Sequence, residues 1–111
     1  MITSKTLRLL ALGFTLTAAV GFAASAKENW DNHCAQCHAE DGSGSTKMGK
    51  KMKLKDYTDA KVQAALKDEE LLKATLDGVT EGGKQKMKGY KDALSAAEAK
   101  DLVAFIRKMK K

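Results

Sequence analysis

The clearest pattern in the chain lies at its C-terminal end, where Leu102, Phe105, Ile106 and Met109 recur at the three- and four-residue spacing of an amphipathic helix. Ser95-Ala-Ala-Glu98 precedes this stripe as a capping box, in which hydroxyl and carboxylate each satisfy a backbone N–H of the first turn. Together they predict a helix opening at Ser95 and running to about Lys110. Two shorter helices come before it. Thr58 or Asp59 can cap one running to about Leu66, and Asp68 can cap another over Glu69 to Asp77, which Gly78 would end. A further helix is predicted from about Asn29 to His38, with Trp30 four residues before Cys34, on the same face and pointing inward. The segment Ala39 to Asp56, with three glycines and five lysines, reads as a loop, and so does Val79 to Ala93. No strand pattern competes and nothing repeats, so the predicted fold class is all-α, with about four short helices.

The first twenty-six residues differ in kind from the rest. Lys5 and Arg8 are followed by an apolar stretch of small residues from Leu9 to Ala24, and Ala24-Ser25-Ala26 offers a cleavage site, so residues 1–26 read as a secretory signal peptide. An uncleaved anchor fits less well, because the stretch is short and meets Lys27 and Glu28 without a stop-transfer cluster. The junction also holds no cysteine for acylation. The expected domain is therefore residues 27–111, exported to the periplasm or an equivalent compartment, with no stable membrane insertion after cleavage.

Composition narrows the class further. The 111 residues carry a net charge of +6, two cysteines, no proline and 5% aromatic residues. Such a length excludes a multidomain enzyme, and interspersed charge on an exported chain argues against nucleic acid as a partner. A domain this small buries too little surface to be comfortably stable alone, and nature stabilises such domains with disulfides, a metal or a bound cofactor. Attention therefore falls on the two cysteines.

They stand in Cys34-Ala-Gln-Cys37-His38, a Cys-x-x-Cys-His sequence in which two thiols can form thioethers with haem vinyl groups while the next residue ligates iron. On a helix Cys34 and Cys37 share a face, and His38 projects on the same side. A thioredoxin-like dithiol would need a core strand before the motif and a cis-proline, and the sequence supplies neither. A structural zinc site would have to use His33, which is adjacent to Cys34 and poorly placed.

With Trp30-x-x-x-Cys-Ala-Gln-Cys-His-Ala-Glu-Asp-Gly-Ser-Gly, Met87-Lys-Gly-Tyr90 and Leu102-Val-Ala-Phe105-Ile-Arg, the chain resembles the small monohaem class I cytochromes c over essentially its whole mature length. The resemblance implies a class I cytochrome c fold around one covalently bound haem c, in which the last helix crosses the first and Trp30 packs on Leu102 and Phe105. It implies covalent attachment through Cys34 and Cys37, with His38 as one axial iron ligand. Candidates for the other ligand are Met48, Met52, Met87, Met109 and His33. His33 sits on the attaching helix and cannot reach the far face of the iron, while Met109 belongs to the helical stripe. Chain reach excludes neither Met48 nor Met52. The resemblance favours Met87, because Met87-x-x-Tyr90 matches the family's ligand loop, with Met52 as the runner-up. A soft thioether favours ferrous iron, so His/Met ligation raises the reduction potential. The sequence departs from the family at one point. The proline whose carbonyl commonly accepts the hydrogen bond of the iron-bound histidine is missing, and a carbonyl from Lys50 to Leu54 is expected to substitute.

The implied function is electron carriage rather than catalysis, with redox proteins as partners and a monomeric state. Lysines at 47, 50, 51, 53 and 55 and at 84, 86, 88 and 91 can steer partners with acidic docking surfaces, set against a merely solvated face. Two other functions fit the same motifs. One is a five-coordinate or labile-Met haem protein acting as peroxidase or gas sensor. The other is a dedicated cytochrome subunit of a larger oxidoreductase.

Overall fold

The computed structural model describes residues 24–111, and the part of the expected leader over residues 1–23 lies outside them. Helix α1, Ala26–His33, opens where the Ser25 hydroxyl accepts from the Glu28 N–H at 3.2 Å. That is three residues before the expected start. Helix α2, Ala35–His38, continues α1 after an irregular residue at Cys34. The Cys34 N–H still donates to the Trp30 carbonyl at 2.8 Å and the His38 N–H to the Cys34 carbonyl at 3.0 Å, so the motif rides on a nearly continuous helix.

The lysine-rich segment departs from its expected form. It contains helix α3, Lys47–Met52, capped by the Thr46 hydroxyl and closed by Lys53 in the left-handed region at φ 55°. Gly49 lies in the middle of α3, and a Cβ there would stand 2.7 Å from the Cys37 carbonyl oxygen. A glycine that weakens helix propensity is thus the residue that lets α3 lie against α2.

Helix α4, Ala60–Ala65, starts at the expected Asp59 cap, whose carboxylate accepts from the Lys61 N–H at 2.8 Å. Helix α5, Asp68–Asp77, has Lys67 at its cap position with no side-chain cap. Asp68, the expected cap, occupies the first helical position, and its carboxylate accepts from Arg107 Nε at 2.6 Å. An ion pair to the last helix has taken the capping side chain.

The expected loop from Val79 holds an antiparallel hairpin of β1, Val79–Glu81, and β2, Lys84–Met87. The turn between them is Gly82-Gly83, both at positive φ, the backbone that a two-residue hairpin requires. Thr80 pairs with Gln85 and Val79 with Met87, so Lys86 is an extra residue that bulges β2 just before Met87. The four residues of β2 are too polar and too few to show an alternating pattern, which is why the strand escaped the hydrophobic periodicity. Gly-Gly between two short polar runs was its available signal.

Helix α6, Ala96–Arg107, opens with the predicted capping box, both of its hydrogen bonds in place, and ends three residues short of the expected Lys110. It packs on α1 and on α5. Trp30, 1% exposed, lies with Leu102, Val103, Ile106, Leu71 and Leu94 in the core, and its ring centroid is 5.8 Å from that of Phe105. None of the described helices is long and apolar enough to cross a membrane.

Candidate functional site

Beside this core is an apolar cleft whose empty volume, counting space open to solvent, is about 370 Å³. The α1–α2 turn brings Cys34 and His38 to it, α5 contributes Leu71, Ala74 and Thr75, and the end of the hairpin brings Met87. Two segments distant in sequence therefore place a thiol, an imidazole and a thioether on one cavity. Cys37 is half-exposed beside it in α2, and both cysteines are free thiols.

The other methionines and His33 lie elsewhere. Met48 is 45% exposed on α3, Met52 is half-buried at the end of that helix, and neither lines the cleft. Met109 is half-buried, with its sulfur against Gly42. His33 faces Tyr90, ring centroids 5.2 Å apart, and its carbonyl accepts from the Tyr90 hydroxyl at 3.0 Å.

His38 is held by rings. Its imidazole is stacked on Tyr57 with centroids 5.4 Å apart and lies 5.7 Å from the Trp30 ring. The side-chain hydrogen bond expected from a carbonyl in Lys50 to Leu54 is not made: Nδ1 is buried and has no partner among the described residues. The carbonyls of Gly49 and Lys50 are engaged instead in closing α3, with Lys53 and Leu54 as their donors. Of the expected stretch, the Lys50 carbonyl is thus taken up by the helix. The backbone of the motif is well anchored, since the His38 carbonyl accepts from the Gly44 N–H at 2.8 Å and the Cys37 carbonyl from the Thr46 hydroxyl at 2.6 Å.

Burial sets the charge state of the cleft. It lowers the His38 pKa from its ordinary 6.5, so the imidazole is neutral near pH 7 with a lone pair available to a metal. Burial also pushes the Cys34 thiol up to about 11, and raises Tyr57, with the nearby Cys34 adding to the effect. An apolar cleft holding a neutral imidazole with a buried, unpartnered nitrogen, a soft thioether and two adjacent thiols fits an iron porphyrin attached by thioethers.

Sequence reasoning missed Tyr57 and Thr75, which also line the cleft. Tyr57 comes from a segment distant from the motif, and no local pattern marks it.

A family model described as cytochrome c matches residues 23–110. The solved structure of the KustC0563 c-type cytochrome superposes with a TM-score of 0.70 at 30% identity, covering 79% of this chain and 100% of that one. A Tyr-to-Phe mutant of Kustc0563 superposes with a TM-score of 0.67 at 29% identity, covering 78% and 100% of the two chains. No curated protein matches the sequence.

Proposed function

Because the chain belongs to the cytochrome c family, we propose that it carries single electrons on one covalently attached haem, with Cys34 and Cys37 as the thioether residues and His38 and Met87 as the axial iron ligands. The observation that carries this reading is the convergence of Cys34, His38 and Met87 on one apolar cleft. When bound, the haem supplies the one-electron Fe(III)/Fe(II) couple. Each protein residue then has a distinct task. Cys34 and Cys37 fix the ring to the turn that also carries His38. The neutral His38 imidazole would hold the iron without first losing a proton, and the uncharged Met87 thioether would favour the ferrous state. Trp30, Leu71, Leu102 and Ile106 keep water from the cleft, which limits reorganisation when the charge changes.

The signal-like leader over residues 1–26 and the extracytoplasmic attachment of c-type haem support a periplasmic location. Exposed lysines on α3 and on the hairpin support docking to redox proteins with acidic surfaces, by an attraction that salt weakens.

One preparation tests the proposal. The exported holoprotein should show a c-type haem spectrum and, when oxidised, the weak far-red charge-transfer band of methionine-ligated haem. The band should vanish in Met87→Ala and persist in Met52→Ala, and electron exchange with an acidic donor should slow as salt rises. Absence of the band from the wild type would put the peroxidase or gas-sensing reading first.

A further inference from the structure

Met87 reaches the cleft from the end of a hairpin that has little around it. A Cβ built on Gly82 or Gly83 at its tip would meet nothing within 4 Å, and Thr80 to Lys86 are all exposed. Such a hairpin cannot by itself hold a side chain at a fixed depth, because local opening is easiest where buried contacts are few. The segments at its base are different. Gly78 ends α5 at φ 80°, and a Cβ there would run into the Met87 carbonyl oxygen and come within 2.7 Å of the Gly89 nitrogen. Conversely, a Cβ on Gly89 would stand 2.6 Å from the Leu76 carbonyl oxygen. The two glycines flank the hairpin and let its two ends close on the last turn of α5, backbone against backbone.

Just beyond this contact the chain is tied down. The Tyr90 N–H donates to the Thr75 carbonyl at 2.9 Å and the Lys91 N–H to the Leu76 carbonyl at 3.1 Å, so the end of α5 serves as the acceptor for the segment after Met87. The Ala93 and Leu94 N–H groups then both donate to the Tyr90 carbonyl, which brings Leu94 into the core at 4% exposure. On the other side of Met87, the Lys86 bulge releases its backbone from the alternation of the hairpin.

We propose that Gly78 and Gly89 are positioning residues for Met87: their close backbone contact, with the Tyr90 and Lys91 hydrogen bonds behind it, sets the depth of the thioether and keeps it in the ligating position, while the hairpin tip contributes nothing to that hold. This rests on the reading of Met87 as an iron ligand. A methyl at either glycine must push the Met87 segment away from α5, and an exogenous ligand then competes with a weaker opponent. Its apparent affinity rises in proportion to the fraction of molecules with Met87 displaced.

The holoproteins to compare are the wild type, Gly89→Ala and Gly78→Ala, with two controls. Gly83→Ala carries in open space the positive-φ strain of Gly78→Ala, and Gly49→Ala is as tightly crowded as Gly89→Ala, but against Gly44 and Cys37 rather than against α5. For each, the far-red methionine–iron band, the affinity of the ferric protein for imidazole and the melting temperature are measured. Gly89→Ala and Gly78→Ala should lose most of the band and bind imidazole about tenfold or more tightly. Gly49→Ala should melt at a lower temperature yet keep the band and the wild-type imidazole affinity, and Gly83→Ala should keep the band and that affinity. If Gly89→Ala keeps the band, or if Gly49→Ala loses it along with stability, the glycine contact is only structural and the proposal fails. Should the two glycine variants not fold, hydrogen exchange on the wild type decides. The Tyr90 and Lys91 amides should be protected like the core of α6 while the Lys84 amide exchanges fast, and rapid exchange at Tyr90 and Lys91 would overturn the idea. A wild type without the band, or a Met87→Ala protein that retains it, refutes the ligand reading itself and this proposal with it.

Discussion

Trp30 shows how one side chain joins local geometry to the site. Its ring lies between His38 and Phe105, and its Nε1–H donates to the Ala39 carbonyl at 3.0 Å. Ala39, directly after His38, has φ 70° and ψ 161°, a backbone region nearly reserved for glycine. The indole hydrogen bond shares the Ala39 carbonyl with the Gly42 N–H at 3.2 Å, and together they help hold this backbone region beside His38. Trp30→Phe keeps an aromatic ring but removes the indole donor, leaving the Ala39 carbonyl only the Gly42 N–H, and is expected to cost about 0.5–1.5 kcal/mol. Thermal melting of the holoprotein measures this, and an unchanged midpoint would show that the hydrogen bond is dispensable. Residues of this kind were readable from sequence to different degrees. Cys34, Cys37 and His38 announce themselves because their chemistry depends on local spacing, and Trp30 because it shares their helix face. Tyr57 stacks on His38 from a distant segment, and nothing in Lys55-Asp-Tyr57-Thr-Asp59 marks that contact in advance.

Helix α6 was legible because it carries a stripe of inward residues and a capping signal written in its own side chains, and α1 because Trp30 stands four residues before Cys34 of the motif. Helix α3 and the hairpin were not, since each depends on glycines whose role is set by what they touch. Asp68 illustrates the same limit, because a residue suited to capping α5 was claimed by Arg107 of α6. The α6 cap also does more than end a helix. Glu98 accepts from the Ser95 N–H at 3.1 Å and from the Asn29 side chain at 3.1 Å, which ties the start of α6 to α1. The Ser95 backbone hydrogen bond, followed by that of Asn29, lowers the Glu98 pKa from its ordinary 4.5. A depressed carboxylate contributes stability above its unfolded-state pKa and loses it as pH falls through the lower folded value. Holoprotein stability should therefore drop as pH falls below about 4.5. Glu98→Gln should flatten that slope while lowering stability at neutral pH, as denaturant midpoints across the range would reveal. An identical acid slope in the variant would rule the Glu98 contacts out as its cause.

For the molecule as a whole, the limiting quantity is the size of the core. The buried apolar residues are Trp30, Cys34, Ala39, Leu71, Leu94, Ala99, Leu102, Val103 and Ile106, two of them alanines, for a described chain of residues 24–111. Such a core offsets little of the conformational entropy of ordering the chain, which runs to about 1–2 kcal/mol per residue for the backbone alone. Nor do the helices compensate. The longest described helix is α6, Ala96–Arg107, and helices of that length are marginal in water without tertiary support. Yet Leu71, Leu102 and Ile106 present apolar surface to the same cleft as His38 and Met87, so a flat apolar ring bound there would enlarge the core that α1, α5 and α6 share. Covalent attachment at Cys34 and Cys37, as proposed above, would make that contribution independent of cofactor concentration, unlike a freely dissociating ligand. The chain produced without haem, or as Cys34→Ala/Cys37→Ala, should consequently lose most of its helical circular dichroism and melt without a cooperative transition. The holoprotein should melt cooperatively. A haem-free chain with full helicity and a sharp transition would mean that the few buried side chains suffice by themselves, and that the haem is a passenger in a fold already made.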